Sequence, residues 1–497
     1  MLADERRARP PMTEPAGRAA LRNAGLLLVQ RAGLVVAGLG FAAVIPRLLG
    51  PDVYGRYALV AALAVVFSAC STLGVNEIIG RHGAVLVASG DQAGLRRLFG
   101  SLLALRLGSG VVAAAAFGAL TLVWLRDLDR VALAAIAVAV VARGIWLAIF
   151  ALFLGLNQAA RWGAGELVSR WAVLALVPLG AVAGGFRGAC VGLLLSEVLV
   201  LAAGLWWTRA LLSLRWPDLG YLGPYLRFGL AFFGSNLLGI AFQGSGEALV
   251  RGITGDYAQV SYFGVANGAF LTGVAAIQQL SLAFVAALVM LRQAGKTAML
   301  DDAARRLVTW LTAGSMAVAL AAVLVAPDLI PAVVGRAYQP VAANLVPMTL
   351  TLVVQSLASG AAVILLAHDR GRVVLGASAL RLAAFWSLGP LLIWSRGSLG
   401  ACAAVLVATV LQAAYLGWRV RAEVPAALRA WVVTVAVGVP FMGLGWVRGG
   451  AWTNAGLWLA ACVAYLAALA LARVITREEL AATWSTLGLS RSGGRRP

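Results

Sequence analysis

Long apolar stretches separated by short polar connectors constrain the fold of this chain more than any other feature. A helix needs about 20 apolar residues to cross the hydrocarbon of a bilayer, and hydrophobic residues make up 61% of the 497 positions. Windows of that length lie near 24–46, 54–76, 98–123, 131–155, 166–183, 187–207, 224–250, 258–290, 307–327, 341–366, 372–394, 399–418, 427–447 and 453–473. The sequence therefore predicts an all-α polytopic membrane protein with about fourteen transmembrane helices.

The positive charges show which way these helices cross the membrane. The chain has 40 Lys and Arg against 20 Asp and Glu, a formal charge of +20. When the connectors are numbered in turn, 26 of the positive residues fall on the side of the N-terminal tail and 9 on the opposite side. Because positively charged connectors stay in the cytoplasm, both termini are predicted to be cytoplasmic. Topology thus explains the charge, and we expect no nucleic-acid partner.

Two parts of the sequence repeat. The Gly/Pro turn at 47–57 is echoed at 255–264, where the glycine, acid and aromatic-Gly pattern returns. A second echo needs one ungapped shift of 212 residues, which carries Asn157, Pro178, Gly188, Ala189 and Cys190 onto Asp369, Pro390, Gly400, Ala401 and Cys402. A Pro and a Gly-Ala-Cys triplet at one offset favour an internal duplication.

The duplication predicts a domain organisation. Because six helices separate the two copies, both enter the membrane in the same orientation, as two pseudo-symmetric six-helix lobes. We expect a disordered cytoplasmic tail at 1–20, the lobes at 21–210 and 211–420, two added helices at 421–475 and a second cytoplasmic tail at 476–497. In transporters built this way, substrate binds between the lobes, which expose it to each face in turn.

Charged residues inside the apolar windows are the candidates for function, because a charge at the bilayer centre costs roughly 2.5–3.5 kcal/mol. Arg31 lies about 10 Å into the first helix at ~1.5 Å per residue, and first helices line the cleft of duplicated transporters. Arg143 and Glu197 are both central in their helices. They are either a buried ion pair that orders the N-terminal lobe or part of a cavity.

The seventh helix contains the most polar segment of any window, at 242–251. Its glycines loosen the helix. Glu247 and Arg251 are four residues apart and so share a face. They are read either as a surface salt bridge or as an acid and a cation that face a cleft.

Sequence signals of catalysis are missing. The sequence has no P-loop motif for ATP hydrolysis, no HExxH motif and no acidic cluster suited to a metal. Acids within the windows are too sparse for glycosyl transfer. We therefore expect no enzyme activity, no catalytic residue, no bound metal and no cofactor.

Several of these features together resemble a known family. They are Asn23 and Arg31, the turn at 47–55, Leu73-Gly74 and the Gly-Ala helix starts at 188 and 400, with fourteen helices and both ends inside. The chain resembles an oligosaccharide flippase of the Wzx type, in the multidrug/oligosaccharidyl-lipid/polysaccharide (MOP) exporter superfamily. The early arginine-rich signature of the related lipid II flippases is thinner here.

This resemblance implies a bacterial inner (plasma) membrane protein that turns an undecaprenyl-pyrophosphate-linked oligosaccharide from the cytoplasmic to the periplasmic leaflet. The glycan would feed O-antigen, capsule or exopolysaccharide assembly, with a polysaccharide polymerase and chain-length proteins as partners besides membrane lipids. Arginine remains charged and grips phosphate with two parallel donors. The expected substrate-binding residues are Arg31, Arg47, Arg81, Arg143 and Arg251. A proton or sodium gradient would supply energy through Glu247 or Glu197.

Three other functions are also compatible with the sequence. A lipid II flippase also has fourteen spans and arginines in its cleft. A cation-coupled drug exporter usually has twelve spans and an acid in the first helix, and the sequence shows neither. A membrane polysaccharide polymerase or ligase, which is an enzyme, needs a large periplasmic loop, and every outer connector here is short.

Overall fold

The computed structural model describes residues 14–156, 158–209, 219–368, 370–421, 423–447, 449–472 and 474–475. The described residues form helices and contain no strand. The helices are α1 (Glu14–Cys70), α2 (Val75–Ile78), α3 (Ala84–Ala88), α4 (Gln92–Trp124), α5 (Arg130–Gly155), α6 (Ala159–Thr208), α7 (Leu219–Gly244), α8 (Gly246–Thr254), α9 (Tyr257–Gln293), α10 (Thr297–Leu324), α11 (Ala326–Val333), α12 (Gln339–Ala367), α13 (Gly371–Val420), α14 (Pro425–Met442) and α15 (Ala451–Leu471). The prediction of an all-α polytopic membrane protein is confirmed.

Three of these helices each contain two predicted membrane spans. A straight helix of 50 residues would extend about 75 Å, more than twice the ~30 Å hydrocarbon core. The backbone breaks at Gly50 in α1, at Gly184 and Gly185 in α6, and at Gly397 in α13. With the arms counted separately, the described residues form the fourteen long helical segments that the apolar windows predict. Ten helices of the described chain are long and apolar enough to cross a membrane. Three of these ten, in α1, α6 and α13, include both arms of a broken helix.

The breaks in α6 and α13 have the same geometry. Gly185 has φ 55° and ψ −131°, and Gly397, 212 residues later, has φ 56° and ψ −132°. Just beyond each break a second glycine lies against a carbonyl of the preceding arm, Gly188 against Gly180 and Gly400 against Leu392. These partners are also related by the shift of 212 residues. The offset read from the sequence therefore relates two hairpins with the same backbone conformation.

The chain divides into two compact units. Unit 1 comprises Met1–Leu48 and Leu63–Leu237, and unit 2 comprises Leu49–Ala62 and Leu238–Pro497. In unit 1 a core of large apolar side chains joins α4 and α5, among them Phe99, Leu102 and Phe153. In unit 2 a comparable core joins α10, α12 and α15 through Met316, Val353 and Tyr465.

Many large apolar side chains remain exposed on the outer faces of the helices. Leu391 is 64% exposed and Trp394 79% exposed on α13, and Val182 is 74% exposed on α6. A water-soluble protein seldom leaves so much apolar surface uncovered. These faces suit the hydrocarbon of a bilayer.

The turn at 47–57 closes against the start of α9 within unit 2. Gly50 has φ 72°, a left-handed conformation that glycine adopts without steric penalty. At Gly55 a side chain would overlap the carbonyl of Tyr257, so the second arm of α1 lies directly on the backbone of α9. At its far end this arm stops at Cys70, six residues before the apolar window ends, because Leu73 and Gly74 take positive φ values of 47° and 73°.

Candidate functional site

Arg143 and Glu197 form an ion pair in unit 1. Arg143 Nη1 lies 3.0 Å from Glu197 Oε1, and the indole N–H of Trp146 donates to the other carboxylate oxygen. The Glu197 side chain is 3% exposed, whereas that of Arg143 is 31% exposed. The carboxylate is therefore fully engaged, and it ties the second arm of α6 to α5. Arg143 keeps one accessible edge.

Arg106 is the most deeply buried cation among the described residues. It lies on α4 with no exposed surface, and it donates from Nε to the carbonyl of Gly144 at 2.8 Å and from Nη2 to that of Ser68 at 3.1 Å. The guanidinium packs where Gly144 has no side chain. These bonds connect α4 to α5 and α1, so Arg106 is a structural cross-link that a ligand cannot reach.

Arg81 lies at the surface of unit 1, on a π-helical turn at Ile79–Gly83. Its guanidinium stacks 4.6 Å from the centre of the Phe228 ring. The next residue, His82, packs edge-on against Phe228 and Tyr225. Partial burial and, after it, the Arg81 charge lower the pKa of His82. The lowered pKa favours the neutral imidazole, so the positive charge of this surface comes from arginine.

Two further arginines of the N-terminal lobe, Arg47 and Arg31, are predicted to bind substrate. Arg47 is exposed near the end of the first arm of α1. Arg31 lies on the same arm, and its side chain falls outside the part of the chain that the structure describes. Its role as a ligand stays a prediction.

Glu247 is buried in unit 2, at the start of α8. The helix of the seventh window is interrupted between Gly244 and Gly246, which matches the expectation that its glycines loosen it. Glu247 is 6% exposed, its Oε1 accepts a hydrogen bond of 3.1 Å from the Asn267 side chain, and its buried Oε2 accepts no hydrogen bond from the residues that the structure describes. A buried carboxylate with one unused oxygen can hold a proton or help to bind a cation.

Arg251 does not neutralise this carboxylate. It donates instead to the carbonyl of Gly255, at the C-terminal end of α8, and its guanidinium lies 4.0 Å from the centre of the Tyr257 ring. A cation at this end of a helix interacts favourably with the helix dipole. Of the two interpretations of the Glu247 and Arg251 spacing, the surface salt bridge is not formed.

Arg381 lies on α13 in unit 2 among neutral partners. Both hydrogen bonds from its Nη1 end on amide oxygens, at 2.9 Å on Gln355 and 3.0 Å on Gln412. The guanidinium lies 3.7 Å from the centre of the Phe242 ring. In the described chain no carboxylate forms an ion pair with it.

The structure thus supplies partners that sequence reasoning missed. Asn267 and Gln355 stand out in the sequence as polar residues inside apolar windows, which is a usable signal. Gln412, in the window at 399–418, carries the same signal. Trp146 gives none, because a tryptophan is ordinary within an apolar window. No group of three His, Cys, Asp or Glu side chains suited to a metal ion occurs among the described residues.

Comparisons with known proteins show the family and the fold of the chain. The family model described as "Polysaccharide biosynthesis protein" matches residues 44–343. The chain belongs to the polysaccharide biosynthesis protein family. No curated protein sequence matches it.

Several solved structures share the fold. The lipid II flippase MurJ in an inward closed conformation aligns with a TM-score of 0.67 at 11% identity, over 91% of this chain and 98% of that one. An inward-facing multidrug resistance MATE family transporter of the MOP superfamily aligns with a TM-score of 0.64 at 17% identity, over 80% of this chain and 95% of that one. A mutant of the Vibrio cholerae MATE transporter VcmN gives 0.56 at 14% identity, over 81% and 98%. The fold that the resemblance to the MOP superfamily predicts is confirmed.

Proposed function

We propose that this protein is a flippase that carries an undecaprenyl-pyrophosphate-linked oligosaccharide from the cytoplasmic to the periplasmic leaflet by alternating access. One observation carries the proposal. This chain belongs to a polysaccharide biosynthesis family, and its fold aligns with those of a flippase and a transporter over nearly their whole length. The glycan would serve O-antigen, capsule or exopolysaccharide assembly. The chain would act in the bacterial inner membrane with both termini in the cytoplasm, and hand its cargo to a periplasmic polymerase and chain-length proteins.

The diphosphate of such a substrate needs fixed cations. We assign this role to Arg31, Arg47, Arg81, Arg143 and Arg251, since guanidinium groups bind phosphoryl oxygens through paired donors and keep their charge. The accessible edge of Arg143 and the exposure of Arg81 support the assignment. The lipid tail would remain in the bilayer beside the exposed apolar faces.

Glu247 is the better candidate of the two acids for coupling transport to an ion gradient. Its Oε2 is buried and accepts no hydrogen bond in the described part of the chain, so a proton or a sodium ion would stabilise it. Glu197, in contrast, already accepts from Arg143 and Trp146. Replacing Glu247 by Gln should make flux independent of the proton gradient, and a flux in the variant that still follows the gradient would remove Glu247 from this role.

Transfer in sealed vesicles tests the function. Purified protein is reconstituted with undecaprenyl-pyrophosphate oligosaccharide, and the fraction that reaches the other leaflet is measured together with the mass of the lipid. We expect transfer without a change of mass. Chain lengthening or sugar transfer to another lipid would identify a polymerase or ligase instead.

Lipid II transport is the second candidate, because the fold aligns with that of the lipid II flippase MurJ over 98% of that chain. Parallel vesicles with lipid II and with a cationic dye separate the three kinds of cargo. Preference for lipid II over the oligosaccharide lipid would favour the second candidate, and efflux of the dye alone would favour a drug exporter.

A further inference from the structure

Three arginines inside the apolar windows differ in how their charge is used. Arg143 is paired with the carboxylate of Glu197, so any ligand shares its charge with that acid. Arg106 has no exposed surface and is fixed to two backbone carbonyls. Arg381 has no acidic partner in the described chain, and the residue keeps part of its surface. Its charge is thus the one most available to a ligand within these three.

Arg381 is held in a single orientation. The two hydrogens of Nη1 are both used, by Gln355 and Gln412, whose side chains belong to residues only 8% and 7% exposed. One face of the guanidinium packs on Phe242, which is itself fixed by an edge contact with Phe385. These contacts come from α7, α12 and both arms of α13, so the side chain is immobilised before any ligand arrives.

The opposite edge of the guanidinium remains open. Nε and Nη2 make no hydrogen bond in the described chain, and neither is sealed from solvent. Arg381 shares the face of α13 that holds the buried residues Ala377 and Phe385, whereas Leu380 and Trp386 on the outer face are exposed. Arg381 therefore lies on the side of α13 that packs within unit 2 and not on the lipid-facing side.

The position of Arg381 makes this arrangement informative. It follows the start of α13 by ten residues, or about 15 Å along the helix, which is near the middle of the ~30 Å hydrocarbon. Charged residues at such a depth usually pair with an opposite charge or mark a substrate path. Neutral amide partners hold the guanidinium without cancelling its charge, and the Nε and Nη2 edge has the parallel donors that match a carboxylate or a phosphoryl group.

We propose that Arg381 binds an oxyanion of the transported molecule, with Gln355, Gln412 and Phe242 as positioning residues. The identity of the carrier molecule rests on the proposed function above. The oxyanion is either a phosphoryl group of the lipid diphosphate or the carboxylate of an acidic sugar, which present the same pair of oxygens to the guanidinium.

Equilibrium binding to the full-length protein in nanodiscs tests the proposal. The probes are inorganic pyrophosphate and D-glucuronate, each titrated at constant ionic strength. Wild type and the control Arg372→Gln, which changes an exposed arginine of the same helix, should bind alike. Arg381→Gln should weaken Kd at least tenfold. Arg381→Lys should not restore it, because lysine is a point charge without the paired donors.

A second variant keeps the test valid should Arg381→Gln fail to fold. Gln412→Glu preserves the shape of the side chain and places a carboxylate on Nη1, so the protein folds while the charge offered to a ligand is cancelled. Binding should again fall at least tenfold. Selective loss of pyrophosphate binding assigns the site to the diphosphate, and selective loss of glucuronate binding assigns it to an acidic sugar.

Two results would overturn the proposal: wild type that binds neither probe, or Arg381→Gln and Gln412→Glu variants that bind as wild type does. The leaflet assay separates this failure from that of the proposed function. If wild type moves no lipid-linked oligosaccharide yet binds a probe through Arg381, the flippase assignment fails and the oxyanion site stands.

Discussion

The Arg143 and Glu197 pair offers a quantitative test of whether a charge inside the membrane orders the fold or serves transport. We consider the variants Arg143→Met and Glu197→Gln, alone and combined. Arg143→Met leaves a carboxylate that is 3% exposed with the Trp146 indole as its remaining donor. Glu197→Gln leaves a guanidinium that is 31% exposed and still partly solvated.

The magnitudes follow from these exposures. Breaking a fully buried ion pair typically costs 3–5 kcal/mol, and a hydrogen bond to a charged group contributes about 1.5–3 kcal/mol. Because Arg143 keeps about a third of its surface, we expect less than the cost of breaking a fully buried pair, about 2 kcal/mol of unfolding free energy for each single variant. The double variant should lose about 2.5 kcal/mol rather than 4, a coupling energy of about 1.5 kcal/mol.

Chemical unfolding of the four proteins in the same detergent measures this coupling. If the losses of the two single variants add up to that of the double variant within about 0.5 kcal/mol, the pair contributes no net interaction. That result would refute the expected coupling energy. Transport per folded molecule then separates the two roles. A double variant that transports as wild type does makes the pair structural. If Arg143→Met folds yet stays inactive while Glu197→Gln still transports, Arg143 is a substrate ligand.

Three further perturbations have defined outcomes. Arg31→Ala should abolish leaflet transfer while membrane insertion stays normal; transport at the wild-type rate by a well-expressed variant would exclude Arg31 from the site. Gly185→Ala should destabilise the protein by about 1–3 kcal/mol, because its φ of 55° with ψ of −131° is strained for any residue with a side chain. The neighbouring Gly184→Ala, at φ −155°, is the matched control. Equal thermal midpoints of the two variants would contradict the expected strain at Gly185. Gly55→Ala should lower the thermal midpoint by several degrees, since the new methyl group meets the carbonyl of Tyr257, and an unchanged midpoint would argue against the close packing of α1 on α9.

The sequence by itself determined the class of the fold and its repeat. Apolar runs as long as the bilayer is thick can form only helices whose backbone groups are paired internally, so the number and approximate position of the spans could be read from composition. The 212-residue offset was visible because Pro178, Gly188 and Cys190 recur at Pro390, Gly400 and Cys402. Glycines at the hairpins recur for a physical reason, since Gly185 and Gly397 adopt a backbone conformation that other residues avoid.

The tertiary structure decided which charges are paired with an opposite charge and which remain available to a ligand. Glu247 and Arg251 are neighbours in the sequence, yet they turn to Asn267 and Gly255 respectively. Arg381 looks like any other arginine in an apolar window until Gln355 and Gln412 reach it from other helical arms. Side chains that meet from distant parts of the chain leave no periodic signal in the sequence, because their contact depends on how the helices pack and not on the spacing of residues along any one of them.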